Sequence, residues 1–318
     1  MVFSPINKIG LAPMAGPGDS AFRRICREWG ADYTVSEMIS AKALQFGAEK
    51  TAALAKYTEE ETPILIQLFG RDPAAMENAA SFIYDHFHPV GIDLNMGCPA
   101  PKIFNNGDGS ALLAEPELAC ELLRAAIRGC DCPVSVKMRV GIDSIDPNVT
   151  DFAKRIENAG ASFLTVHGRT RDQFYSGKAD YSAIRMIKEA VSIPVVANGD
   201  VVDGESAKRI LEQTGADGIA LARGALGAPD VFQRIKQELA GNSFEPLSYA
   251  ERFDICLKHL NYAIEDKGEE RACVEFRKHM LWYLKGIAGA SQYKVEAGKI
   301  SSLSDCRLLI ERVLNENK

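Results

Sequence analysis

The sequence predicts an α/β fold: a (β/α)8 barrel of the TIM type followed by a small C-terminal helical domain. Three observations point there. Between residues 9 and 242, a short β-rich apolar run, a polar or glycine-containing break and a helical stretch recur eight times. That alternation builds βα units on a parallel sheet, and eight units suit a closed barrel better than an open doubly wound sheet. The G-x-G-x-x-G of a dinucleotide fold is missing after the first run, where LAPMAGPGDS reads as a turn. After Asn242 the runs stop and long helical stretches take over, so the boundary falls at GNSFEP, giving domains 1–242 and 243–318.

The runs are IGLAPM, YTVSEM, ILIQLF, IDLNMG, VSVKMR, FLTVHG, PVVANG and GIALARG, beginning near residues 9, 33, 64, 92, 134, 163, 194 and 218. Amphipathic segments such as AFRRICREW, PAAMENAASFIYDHF, PELACELLRAAIR and ESAKRILEQT lie between them. In such a barrel the active site forms at the C-terminal strand ends. Those ends are, in order, Met14, Glu37, Gln67, Asn95 with Cys98, Lys137 with Arg139, His167 with Arg169, Asn198 with Asp200, and Arg223. From the second run onward every end is polar or charged, so one face of the barrel is a site.

Composition bounds the class. A chain of 318 residues, 46% hydrophobic and 25% charged, is a globular protein of one large and one small domain. No apolar run reaches the ~18 residues of a membrane span, and the N-terminus lacks a basic stretch leading into an apolar one, so a cytoplasmic monomer away from membranes is expected. The eight cysteines form no paired C-x-x-C motifs; reduced, mostly structural thiols and no metal are expected. The net charge of −6 argues against a surface that coats nucleic acid throughout, but the deficit lies before residue 244. From Arg277 to Lys299 the tail carries Arg277, Lys278, Lys285, Lys294 and Lys299 against Glu296 alone. Trp282 and Tyr283, set among apolar residues, read as helical-domain core.

The ends of runs seven and eight, ANGD and ALARGAL, supply glycine amides and Arg223, partners for a phosphate. Gln67, Asn95 and Lys137 offer amide and ammonium groups to a flat heterocycle. Phosphate on one side and a polar ring at the centre suggest flavin mononucleotide, with Lys137 stabilising the negative charge that develops on reduction.

LAPMAG at 11–16, QLFG at 67–70, DLNMGCPAPK at 93–102, VKMRVG at 136–141, VHGRT at 166–170, ANGD at 197–200 and ARGAL at 222–226 together resemble the tRNA-dihydrouridine synthases. The tail segment RKHMLWYLKG is similar to that of the bacterial B-type branch. The resemblance spans nearly the whole chain, with one departure: Ala222 stands where many members have Gly. It implies reduction of the C5=C6 bond of uridines in tRNA to 5,6-dihydrouridine, with FMN recharged by NADPH. It implies FMN-binding roles for Pro13, Met14, Ala15, Gln67, Lys137, His167, Asn198, Gly199, Asp200, Ala222 and Arg223. Asn95, Arg139 and Tyr175 would hold the uracil, and Arg277 and Lys278 tRNA phosphates.

Cys98 sits alone at a turn, with no Cys or His partner nearby in sequence. A lone cysteine is commonly a small buried hydrophobe. The resemblance implies instead that hydride passes from FMN to C6 while Cys98 protonates C5. A thiol mostly protonated near neutral pH suits that task, and an activating His would remove the proton the reaction needs. Two other readings remain open on the sequence: a flavin-dependent dihydropyrimidine or dihydroorotate dehydrogenase acting on a free small molecule, and a non-catalytic tRNA-binding factor.

Overall fold

The structure, a computed structural model, describes residues 3–45 and 49–317. Nine strands are present among them: β1 (Ile9–Leu11), β2 (Tyr33–Val35), β3 (Ile39–Ser40), β4 (Ile64–Phe69), β5 (Gly91–Met96), β6 (Val134–Arg139), β7 (Leu164–His167), β8 (Val195–Asn198) and β9 (Gly218–Leu221). All pair in parallel. β1 joins β2 on one side and β9 on the other, and β2 also pairs with β4, so eight strands close into the expected barrel. Such strands are covered on both faces and therefore read as apolar runs.

One difference concerns the second run, YTVSEM, which does not continue as a single strand. β4 pairs with β2 at Ile64 and Leu65 but with β3 at Leu68 and Phe69. Between the two, at Gln67, Ser36 Oγ accepts the strand's amide hydrogen at 3.0 Å. A side-chain oxygen thus fills the break in the ladder.

The outer helices follow from periodicity and caps. Pro73–Phe87 buries Ala75, Met76, Ala79, Ala80 and Ile83, one stripe at helical spacing, and Asp72 caps it by accepting from Ala75 N at 3.1 Å. Gly204–Thr214 starts at a capping box on Asp203 and stops at Gly215.

The last barrel helix is Val231–Leu239; the tail consists of Tyr249–Lys267, Glu269–Tyr283, Ala290–Ala297 and Leu303–Glu316. Its apolar residues, including Phe253, Leu260, Phe276 and Tyr283, belong to the same continuous core as the barrel's Phe22 and Ile25. The tail is packed onto helix Ser20–Glu28 rather than detached from it. Arg24 with Glu265 at 2.9 Å, Lys258 with Glu28 at 2.7 Å and Lys267 with Asp19 at 2.5 Å span that seam.

Candidate active site

The C-terminal strand ends surround a cavity of about 610 Å³, within the range of small-molecule and cofactor sites. Its wall includes Pro13, Met14, Ala15, Gln67, Asn95, Cys98, Lys137, Arg139, His167, Tyr175, Asn198, Gly199, Asp200, Ala222 and Arg223. Parallel strands deliver them together because each strand exhausts its ladder at the same rim.

A hydrogen-bond chain runs from the barrel interior to the backbone amide of Cys98. Asp93, buried in β5, accepts from Ser135 Oγ at 2.6 Å and from Gln67 Nε2 at 2.7 Å. Burial pushes its carboxyl up, and those two donors oppose the shift. Gln67 Oε1 accepts from Asn95 Nδ2 at 2.8 Å, which leaves Asn95 Oδ1 to accept the amide hydrogens of Gly97 at 3.1 Å and Cys98 at 2.9 Å. Asn95 is therefore engaged at both ends of its amide, and it shapes the turn that carries the cysteine. From the other side Ser110 donates through its amide, at 3.2 Å, and its hydroxyl, at 2.9 Å, to the Cys98 carbonyl.

The cations come from β6 and β9. Lys137 Nζ is 3.2 Å from Asn198 Oδ1, a neutral partner, and desolvation with Arg139 nearby lowers its pKa to about 8. Arg139 is buried and donates to the carbonyls of Gly97, Thr170 and Phe174 at 2.7–2.9 Å, tying the loop after β5, which carries Cys98, to the loop after β7. Burial lowers it to about 10, so it stays charged at neutral pH. Tyr175 is 53% exposed at the mouth, its ring 4.6 Å from the Arg223 guanidinium and 5.8 Å from that of Arg139.

His167 is buried, and desolvation together with the surrounding cations drives it far below its ordinary range, so the ring is neutral. Arg169 Nη1 lies 3.4 Å from His167 Nε2. Since Arg only donates, Nε2 is the acceptor and the ring proton sits on Nδ1. Asp200 lies in the cavity wall, its carboxylate 2.8 Å from Arg169, 3.8 Å from Arg223 and accepting the Ala179 amide at 2.8 Å.

Whether this wall fits a flavin mononucleotide can be tested on its donors. A half-buried ammonium whose hydrogen-bond partner is an amide oxygen suits a carbonyl-rich ring that gains negative charge. Gly199, at φ 132°, and Asp200, at φ 57°, turn the chain out of β8, and a Cβ on Gly199 would come within 2.8 Å of Ala179 Cβ. That turn sets backbone N–H groups beside Arg223, a cradle for phosphate. The residues present fit the group.

Arg277 and Lys278 lie away from the cavity wall. Arg277 Nε donates to Ile300 O at 2.8 Å within the tail, and Lys278 Nζ donates to Gly16 O at 2.7 Å in the first barrel loop. Tyr283 is buried core as expected, but Trp282 is not: it lines the cavity together with the exposed Lys285. Met38 and Phe174 also line it and escaped the sequence reading.

Comparison with known proteins settles the family. A family model described as dihydrouridine synthase (Dus) matches residues 10–317. The chain belongs to the dihydrouridine synthase family. Among its relatives, tRNA-dihydrouridine synthase B of Pseudomonas aeruginosa is 39% identical over 92% of this chain and 89% of that protein. Those of Shewanella oneidensis and Vibrio parahaemolyticus, of the same name, are 37% and 40% identical over 98% and 91% of this chain and 96% and 89% of theirs. A solved 2-naphthoyl-CoA reductase is 12% identical with a TM-score of 0.57, covering 74% of this chain and 50% of that one, a likeness of fold.

Proposed function

We propose that the protein reduces the C5=C6 bond of specific uridines in tRNA, with FMN in the barrel mouth and NADPH as reductant. The observation that carries this is the Cys98 turn facing a cation-lined cavity in a dihydrouridine synthase. When bound, the flavin supplies the hydride that C6 receives. Lys137 and the Nδ1–H of His167 bind its ring, and Arg223 with the Gly199 and Asp200 amides binds its phosphate. Pro13, Met14, Ala15 and Ala222 close the wall around it.

The substrate uracil lies between that ring and Cys98. Cys98 Sγ–H delivers the proton to C5 from the opposite face, and Asn95 fixes the distance by holding the turn. Arg139 holds the loop, while Tyr175 covers the base from the mouth. A uracil stacked in folded tRNA cannot reach this depth, so the nucleotide turns out of its stack. Phosphate contacts come from the tail, where Lys285 stands exposed at the mouth and Arg277 and Lys278 add positive charge behind it.

The protein works on tRNA as a monomer in the cytoplasm; no helix among the described residues is long and apolar enough to cross a membrane. Purified protein with NADPH should convert uridine to dihydrouridine in tRNA from a strain lacking the gene. Reduction of free uracil with no reaction on tRNA would overturn the reading.

A further inference from the structure

A second group of chemically capable side chains lies outside the cavity, in the seam between barrel and tail. Asp19 caps helix Ser20–Glu28, His259 lies on Tyr249–Lys267 and His279 on Glu269–Tyr283. Their carboxylate and imidazole ligand atoms all fall within 4.8 Å of one another. The histidines are 1% and 2% exposed. His259 Nδ1 meets the Tyr283 hydroxyl at 3.3 Å, yet His259 Nε2 and both ring nitrogens of His279 have no hydrogen-bond partner among the described residues. Buried polar atoms are normally paired, and a neutral imidazole carries both a donor and an acceptor, so His279 leaves two needs unmet.

Packing fixes the two rings in place: Phe22 and Phe276 lie against both. Asp19 accepts from Phe22 N at 3.1 Å and from Lys267 Nζ at 2.5 Å. A carboxylate has about four acceptor sites, so two remain. Lys267 is shared with Glu275 at 2.9 Å, which Arg271 also pairs at 2.7 Å, so the ammonium is not held by Asp19 alone.

We propose that Asp19, His259 and His279 form a site for one zinc-class divalent cation that staples the tail to the barrel. Two neutral imidazoles and one carboxylate are a donor set zinc takes, with water in the fourth position. Zinc bonds of about 2.0–2.2 Å require the ligand atoms to draw inward, which rotation of three side chains supplies. The site has a consequence for the cavity. Lys278, adjacent to His279, donates to Gly16 O, and Ala15 and Pro17 on either side of that glycine line the cavity. A cation here fixes the rim through the seam.

The test uses the full chain, stripped with chelator and then titrated with zinc alone, and in parallel with cobalt(II), whose visible band reports tetrahedral ligation. One equivalent should be retained through gel filtration, and the melting temperature should rise on zinc addition. His279→Phe should weaken zinc binding by at least a hundredfold, and Asp19→Asn, which keeps the helix cap, by at least tenfold, with flavin content unchanged in both. If His279→Phe does not fold, Asp19→Asn and the cobalt band decide. Zinc bound equally by Asp19→Asn, a cobalt spectrum dominated by thiolate, or no retained zinc and no melting shift in the wild type would each overturn the proposal.

Discussion

Asn95 Oδ1 accepts the amide hydrogen of Cys98 at 2.9 Å while Asn95 Nδ2 donates to Gln67 at 2.8 Å, so one side chain ties the thiol-bearing turn to the barrel interior. Asn95→Ala removes the acceptor for two backbone amides. Reduction of tRNA should fall roughly 10- to 100-fold, since small misplacement of a reacting group is costly. Bound flavin should stay within about twofold of wild type. Single-turnover reduction measured beside flavin content checks this; equal losses in both would mean that the residue only supports the fold.

Gly109 lies against the same turn. It sits at φ 61°, and a Cβ there would come within 3.0 Å of Cys98 Cβ and of the Cys98 carbonyl oxygen. Gly109→Ala therefore combines left-handed strain with a contact that pushes on the thiol. A loss of ~1–2 kcal/mol in denaturant unfolding is expected, with a drop in tRNA reduction larger than stability explains. An alanine variant with wild-type stability and rate would show the turn to be more yielding than its geometry implies.

Lys137 gives a pH dependence whose sign follows from its burial. Its folded pKa is about 8, below the ~10.4 of an unfolded lysine. Between those values the unfolded chain holds a proton that the folded chain has released, so stability rises with pH across that window. Below pH ~8 the full cost of the desolvated ammonium is present. Relative to Lys137→Met, flavin-free wild type should gain on the order of 2–3 kcal/mol from pH ~8 to pH ~10.5. Guanidinium unfolding of both proteins across that range measures it. A constant difference between them would place the ammonium in contact with solvent.

The barrel and most of the cavity wall were legible in the sequence for one physical reason. Parallel strands buried on both faces appear as apolar runs, and the polar residues at their C-terminal ends mark the rim, so Gln67, Asn95, Lys137, His167 and Asn198 declare themselves. What stayed hidden depends on contacts between distant segments. Trp282 among apolar residues looks like core, because periodicity cannot tell which helix face meets a cavity built by barrel loops that end at Leu226, 56 residues earlier. That Arg169 holds the Asp200 carboxylate, across a gap of 31 residues, is likewise invisible in the sequence. Lys278 reads as free charge until it reaches Gly16, 262 residues away. The break in the second strand depends on Ser36 Oγ replacing one ladder bond, which no propensity encodes.

Trp282, as a wall residue of the cavity contributed by the tail, should matter to the RNA and not to the reductant. Trp282→Ala should raise the KM for tRNA several-fold, consistent with the ~1–3 kcal/mol that base stacking contributes. NADPH should still bleach the flavin normally. An unchanged KM would return this residue to the tail's packing, as the sequence alone suggested.

The decisive test is Cys98→Ala. The substitution removes the proposed proton donor but leaves Lys137, His167 and Arg223 in place, so reduction of the flavin by NADPH should proceed near the normal rate. Transfer to tRNA should fall by roughly two to four orders of magnitude, the range for a positioned general acid. Cys98→Ser should rescue little, because an alcohol holds its proton far more tightly than a thiol. A cysteine serving only to pack the turn predicts another pattern: both half-reactions decline together, in step with stability. Turnover of tRNA at wild-type speed by Cys98→Ala would assign the proton to water or to another side chain.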